Sequence, residues 1–454
     1  MMNGKERVFA ALSHKPVDSV PWVPFAGVHA GKLKGFNAQD VLRDGEKLLA
    51  SLLEVNRVYD PDGQPVMFDL QVEAEILGCE LIWADKAPPS VVTHPLQSSM
   101  VIPKMLPGEN DGRLPIILDT MRSMHQQVGD RTALYGLVTG PFTLASHLRG
   151  TEIFMDMFDH PEYLIELLVY CTDVACRISD LFVDAGMHVI AVVDPLVSQI
   201  SPKHFQEFLS PIFLDLFSYI REKEVFSSFF VCGDATKNIE VMCQTKPDCI
   251  AIDENIDLVN VKKITDQFNI TLEGNIPLTS HMLLGNQQDN MKYVLDLFDK
   301  ISIDGVSPTN LIISPGCDMP YDIPIENVVG TMQAIREPET ARLMLANYQS
   351  HAYDIEEIEI PDYAHLNKTL IEVFTLDSST CPACGYMKLA AERAVDELGD
   401  RVEMIEYKIT TPENIARMKK MHVQNLPSIL INGKLKFSSL IPSNRELIEA
   451  IQES

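Results

Sequence analysis

The sequence predicts an α/β protein, a (β/α)8 barrel followed by a smaller α/β unit, and three observations carry that prediction. Through about residue 345, short apolar runs alternate with turn residues and amphipathic helices, the pattern of parallel strands joined by covering helices. Runs such as Val189-Ile190-Ala191-Val192-Val193 have no polar alternation and suit strands buried on both faces. The runs fall at 20–25, 66–69, 133–140, 188–194, 226–232, 249–253, 270–274 and 311–314, and eight strands suffice to close a barrel.

Residues 70–132 are longer than a normal crossover and contain Lys86-Ala87-Pro88-Pro89 and Met105-Leu106-Pro107-Gly108. They read as an insertion over one end of the barrel. From 347 to 366 the pattern lapses into a stretch with Asp354, Glu356, Glu357, Glu359 and Asp362 but no Lys or Arg, which reads as an extended linker. The expected organisation is a barrel over 1–345, an acidic linker over 346–366 and a second domain over 367–454. That domain reads strand 370–376, helix 382–398, strand 402–407, helix 412–422, strand 428–431, a turn at Asn432-Gly433, strand 434–437 and helix 444–452.

The 454 residues carry 37 Lys plus Arg against 64 Asp plus Glu, a formal charge of -27. Such a surface repels phosphate backbones and anionic lipid, so nucleic-acid and membrane-surface partners are not expected. The second domain holds 11 basic and 12 acidic side chains, leaving -26 on barrel and linker. No run approaches the roughly 20 apolar residues that span a bilayer, and the first 16 residues carry no secretory h-region. A cytoplasmic protein is expected. Nine cysteines are too sparse for a disulfide scaffold. Cys79, Cys171, Cys176, Cys243 and Cys249 lie in apolar or helical surroundings and are expected to be buried thiols. The other four sit in different company.

Cys381-Pro382-Ala383-Cys384 follows a strand and opens a helix, where the macrodipole and free N–H groups stabilise a thiolate. No second Cys-x-x-Cys exists to complete a zinc site. This segment resembles the thioredoxin and glutaredoxin superfamily over about ninety residues, including Val423-Gln424-Asn425-Leu426-Pro427 and the strand after it. The resemblance implies that Cys381 is the nucleophile, Cys384 the resolving thiol and Pro427 a cis-proline.

Barrel chemistry sits at the C-terminal ends of the strands. There the sequence places His29, Asp69, Gly140-Pro141-Phe142, Asp194, Cys232, Asp253 with Glu254, Glu273 with Asn275, and Cys317. Val231-Cys232-Gly233-Asp234 and Ser314-Pro315-Gly316-Cys317-Asp318 each put a thiol beside a glycine turn, and two such thiolates could hold one zinc ion. Residues 1 to about 340 resemble the uroporphyrinogen decarboxylase superfamily through Lys5-Glu6-Arg7, Asp18-Ser19-Val20-Pro21, Gly140-Pro141-Phe142-Thr143-Leu144-Ala145 and Gly274-Asn275-Ile276-Pro277. Cys232-Gly233 and Pro315-Gly316-Cys317 resemble its cobalamin-dependent methyltransferase branch, which works with methylated corrinoid proteins.

That branch binds zinc through His-x-Cys on one strand and a Cys on another, and the zinc activates an acceptor thiol. Cys232 and Cys317 match two ligands, but Phe230 stands where the histidine belongs. The resemblance therefore leaves open a different third ligand, weaker metal binding, or no metal and a changed reaction. Asp253, Glu254 and His29 are the candidates for the third ligand, and the expected set is Cys232, Cys317 and Asp253. His29, Asp69, Asp194 and Asn275 are expected to orient substrate. The implied function is methyl transfer between a corrinoid protein and a small donor or acceptor, a thiol, a pterin or a methoxylated compound, with a thiol reductant serving the attached dithiol domain. The rival is a barrel that has lost catalysis and presents a ligand to that domain. Decarboxylation of a polyanionic tetrapyrrole is not expected, because the loop 25–32 has no arginine and carboxylates frame the mouth.

Overall fold

Seven parallel strands, β1 (Gly63–Pro65), β2 (Ala133–Thr139), β3 (Val189–Val193), β4 (Phe226–Phe230), β5 (Cys249–Ala251), β6 (Thr271–Glu273) and β7 (Leu311–Ile312), pair in sequence order. Residues 21–23 close the ring. Val23 N donates to Ile313 O and Ile313 N to Pro21 O, both at 2.9 Å, while Asp62 N and Gly63 N donate to Trp22 O at 2.9 and 3.3 Å. The strand expected at 20–25 is thus reduced to a single bridge at Trp22. The reason is chemical: Pro21 and Pro24 have no N–H to give a ladder. The strand expected at 66–69 ends instead at Pro65, and 66–69 is irregular.

This computed structural model describes residues 2–302, 308–348, 358–363, 365–378, 382–423 and 425–453. Two compact units part between Tyr348 and Gln349. Among the described residues no helix is long and apolar enough to cross a membrane.

The barrel interior follows the two-residue period of its strands. Ala133, Tyr135 and Leu137 share it with Val189, Ala191, Val193, Phe230, Ala251 and Ile312. The Phe230 ring lies 4.8 Å from Phe25 and 5.8 Å from Phe68, and each such ring contributes about 2–3 kcal/mol by burial. Helix Gly4–Leu12 lends Val8, Ala11 and Leu12 to the same cluster. The motif residues near the N-terminus tie the closure: Arg7 pairs with Asp18 at 2.6 Å and Asp62 at 2.9 Å, Arg336 pairs with Asp62 at 2.7 Å, and Asp62 accepts from Trp22 N at 2.8 Å.

The long segment 70–132 holds helix Val72–Ile76, a hairpin pairing Leu81–Ile82 with Ser90–Val91, an extended stretch, and the crossover helix Leu114–Val128. It packs on the C-terminal end of β2 and the helix that follows. Thr139 donates to Glu73, Leu96 N to Leu148 O at 2.8 Å, and Arg149 to Leu96 O at 2.7 Å.

In the second unit β8 (Thr369–Thr375) is central, parallel to β9 (Val402–Lys408) and antiparallel to β10 (Ser428–Ile431), which pairs with β11 (Lys434–Ser438). Helices Pro382–Leu398 and Asn444–Gln452 bury Met387, Ala391, Leu447 and Ile451 against Ile371, Val373, Ile429 and Ile431. Asn432 and Gly433 take the left-handed conformation, φ +48° and +75°, that a two-residue hairpin turn needs. Of the acidic linker, 349–357 and 364 lie outside the described residues. Ile358 O and Glu359 O accept from Lys420 and Arg417 of the same unit.

Candidate active site at the barrel mouth

Four strand ends interlock on one side of the mouth. Beyond β4, Gly233 turns the chain at φ +83° and its N–H donates to Asp253 Oδ2 at 2.7 Å. Asp253 Oδ1 accepts from the backbone and side-chain nitrogens of Asn255, at 2.9 and 2.7 Å. Burial pushes the Asp253 carboxyl above its ordinary value, against the pull of these bonds. Asn275 Nδ2 donates to Asp253 O and Ile256 O at 2.8 and 2.7 Å, so its amide holds the same loop. Beyond β7, a side chain on Gly316 would lie 2.4 Å from Glu254 N, so only glycine lets the 315–317 turn seat against that loop.

This framework presents two thiols. Cys232 and Cys317 are half-buried and pack on the apolar interior, each on a turn seated against the 253–254 loop. Cys232 favours a Cys317 thiolate, but burial and the Asp253 and Asp318 carboxylates outweigh it, leaving the Cys317 pKa above its ordinary value. Asp318 accepts from Gly27 N at 2.8 Å, and burial drives its carboxyl well up, with Asp69 adding to the shift.

Elsewhere on the rim the polar groups serve the fold. Asp69 is an ion pair with Arg113 at 2.6 Å, both buried, and Arg113 also reaches Glu75 at 2.7 Å. Asp194 accepts from Phe142 N at 2.9 Å, and from Thr143 N at 3.1 Å and Thr143 Oγ1 at 2.7 Å, capping helix Pro141–Arg149 from another strand. Burial pushes its pKa up to about 7 despite those bonds. A Cβ at Gly140 would lie 2.3 Å from Asp194, which accounts for the glycine in Gly140-Pro141-Phe142. His29 is fully buried between Tyr59 Oη at 2.7 Å and Tyr321 O at 3.1 Å, and burial lowers its pKa to about 4. Glu273 is not on the rim. It is buried beside the interior residue Cys249, whose Sγ lies 3.7 Å from its Oε2, and burial raises its pKa to about 8.

The mouth framed by free carboxylates is therefore corrected: Asp69 is neutralised by Arg113 and Glu273 lies inside. The sequence reading passed over Arg113. It lies 44 positions from Asp69, in a proline-rich segment whose pattern does not mark it. Asp318 was visible only as the neighbour of Cys317. Of the five cysteines expected to be buried, Cys79, Cys171, Cys243 and Cys249 are, and Cys176 is half-buried.

A family model for uroporphyrinogen decarboxylase matches residues 3–338. The chain belongs to the uroporphyrinogen decarboxylase family. Residues 369–452 match a thioredoxin domain model. This family member is similar to the methylcobamide:CoM methyltransferase MtbA of Methanosarcina acetivorans, 28% identical over 333 residues, 71% of this chain and 95% of that protein. It is also similar to MtaA of Methanosarcina barkeri strain Fusaro, a protein of the same description, 28% identical over 344 residues, 73% of this chain and 96% of that one. The uroporphyrinogen decarboxylase of Nostoc punctiforme is 22% identical over 307 residues, 65% of this chain and 84% of that one. A solved methyltransferase structure from Methanosarcina mazei shares the fold, with a TM-score of 0.67 at 22% identity over 75% of this chain and 100% of that one.

The zinc site implied by the methyltransferase branch does not fit the residues of this family member. Phe230 fills the third ligand's place with a buried ring, the Asp253 oxygens hold three N–H groups, and both His29 nitrogens have partners. Glu254 lies 3.4 Å from Thr279 N and Oγ1. Among the described residues no three His, Cys, Asp or Glu side chains gather to hold a metal ion. The expected set of Cys232, Cys317 and Asp253 is not gathered as a three-ligand cluster among the described residues. In the second unit Cys384 is buried in its helix and the Leu426–Pro427 peptide is cis, while Cys381 lies outside the described residues.

Proposed function

We propose that this chain moves a methyl group between the cobalt of a partner corrinoid protein and a small molecule seated at the barrel mouth. The observation that carries the reading is the Cys232 and Cys317 pair, two accessible thiols from separate strands, in a chain that matches nearly the whole length of methylcobamide:CoM methyltransferases. In the transfer toward acceptor, the acceptor's electron pair forms a bond to the methyl carbon as the cobalt–carbon pair returns to cobalt. The thiols contact the small molecule and orient it, which lowers the barrier by positioning. His29, Asp69, Asp194 and Asn275 are positioning residues: each turns a polar group to protein partners and acts on substrate through the loops it holds. The acceptor or donor is a thiol, a pterin or a methoxylated compound.

The thioredoxin domain fits a redox role in which Cys381 attacks a disulfide, Cys384 resolves it and a thiol reductant restores the pair. Free thiols and a dithiol unit together suit a reducing cytoplasm. The test uses the full chain with methylcobalamin and each acceptor class, or with cob(I)alamin and each donor class, followed by corrinoid absorbance. Conversion with one class supports the reading. An unchanged spectrum with every class overturns it in favour of a non-catalytic barrel.

A further inference from the structure

Cys232 and Cys317 sit on turns that close on one loop, Gly233 donating to Asp253 at 2.7 Å and Gly316 seated against Glu254, and with no three-ligand metal cluster among the described residues the two thiols have another chemistry open to them. Cys232 and Cys317 are half-buried, so a small reagent reaches them, whereas Cys171 and Cys249 are buried and burial drives their pKa values well up. Each is next to a glycine turn at a strand end, Gly233 or Gly316, so closing the gap to a bonded distance of about 2 Å involves loops and not the ladder. Phe230 packs the interior beside them and brings no imidazole to compete for the sulfurs.

We propose that Cys232 and Cys317 form a reversible disulfide that switches the barrel mouth between an active dithiol and an inactive oxidised state. The reactant is a low-molecular-weight disulfide. One barrel thiolate attacks it and expels a small thiolate, giving a mixed disulfide. The second barrel thiolate then attacks that bond, forming Cys232–Cys317 and expelling the second small thiolate. The two barrel thiols are oxidised by two electrons, the small disulfide is reduced by two, and the two protons leave with the small thiols. Exchange with a dithiol reverses the step. The effect on methyl transfer rests on the function proposed above; the bond itself does not.

The experiment takes the reduced full chain, exposes it to oxidised glutathione, blocks remaining thiols with an alkylating reagent, and maps the cysteines by peptide mass spectrometry. The expected product is a linked pair of peptides carrying Cys232 and Cys317, cleaved by dithiothreitol and absent from Cys232→Ser, in which Cys317 is alkylated or carries glutathione. Two results overturn the proposal: both cysteines alkylated after oxidation, or one zinc per purified chain that is lost in Cys317→Ser. The mapping reads the bond whether or not any methyl donor or acceptor has been found. A linked pair with no methyl transfer therefore counts against the enzyme reading alone.

Discussion

The rim of the barrel is built in two ways. After β1, β2 and β3 its ionisable side chains are committed to the fold: Asp69 to Arg113, Glu73 to Thr139, Asp194 to the amides of 142 and 143. After β4 and β7 the holding is done by Asp253, Asn275 and tight glycine turns, and the thiols they carry stay half-buried at the mouth. Charged groups at strand ends are a poor guide to chemistry where helix ends and an insertion need partners. Reactive groups stand out by what supports them.

Breaking the committed side gives large effects on stability. Arg113→Met leaves the Asp69 carboxylate buried without its partner and is expected to cost about 3–5 kcal/mol, read from denaturant unfolding of the full chain. Adding Asp69→Asn should return part of that loss. Asp194→Ala removes the acceptor for two buried amides and a hydroxyl and should cost about 2 kcal/mol in the same assay.

A pH-dependent effect belongs to Glu273, which serves neither side. Its folded pKa, about 8, lies above the ordinary carboxylate value, so the folded chain keeps a proton the unfolded chain releases. Its contribution is complete below about pH 4.5 and is lost as pH rises through about 8. Glu273→Gln, neutral throughout, should gain stability relative to the native chain between pH 6 and pH 9 in thermal melts. A constant difference would mean that Glu273 is ionised in the fold.

How far the sequence could be read follows the same division. Buried strands such as 189–193 were legible because a run of β-branched residues has few other solutions, and the second unit because strand, helix and turn signals agree along it. The strand at 20–25 was misjudged because apolar content says nothing about missing N–H groups at Pro21 and Pro24, and the strand expected at 66–69 lies earlier, at Gly63–Pro65. Cys232 and Cys317 were legible from a thiol beside glycine at a strand end. Asp194, Asp69 and His29 were legible as rim residues but their protein partners were not, since Thr143, Arg113 and Tyr321 are between 44 and 292 positions away. Such pairings exist only once the barrel is closed.

The central claim is that chemistry at this mouth belongs to the thiols and support to the carboxylates. The direct measurement compares methyl transfer with methylcobalamin by the native chain, Cys317→Ala and Asp194→Asn, each checked for an intact fold. The account predicts that Cys317→Ala loses on the order of 100-fold in rate, about 2.7 kcal/mol of transition-state stabilisation, while Asp194→Asn keeps most of it. An active Cys317→Ala beside an inactive, folded Asp194→Asn would contradict it.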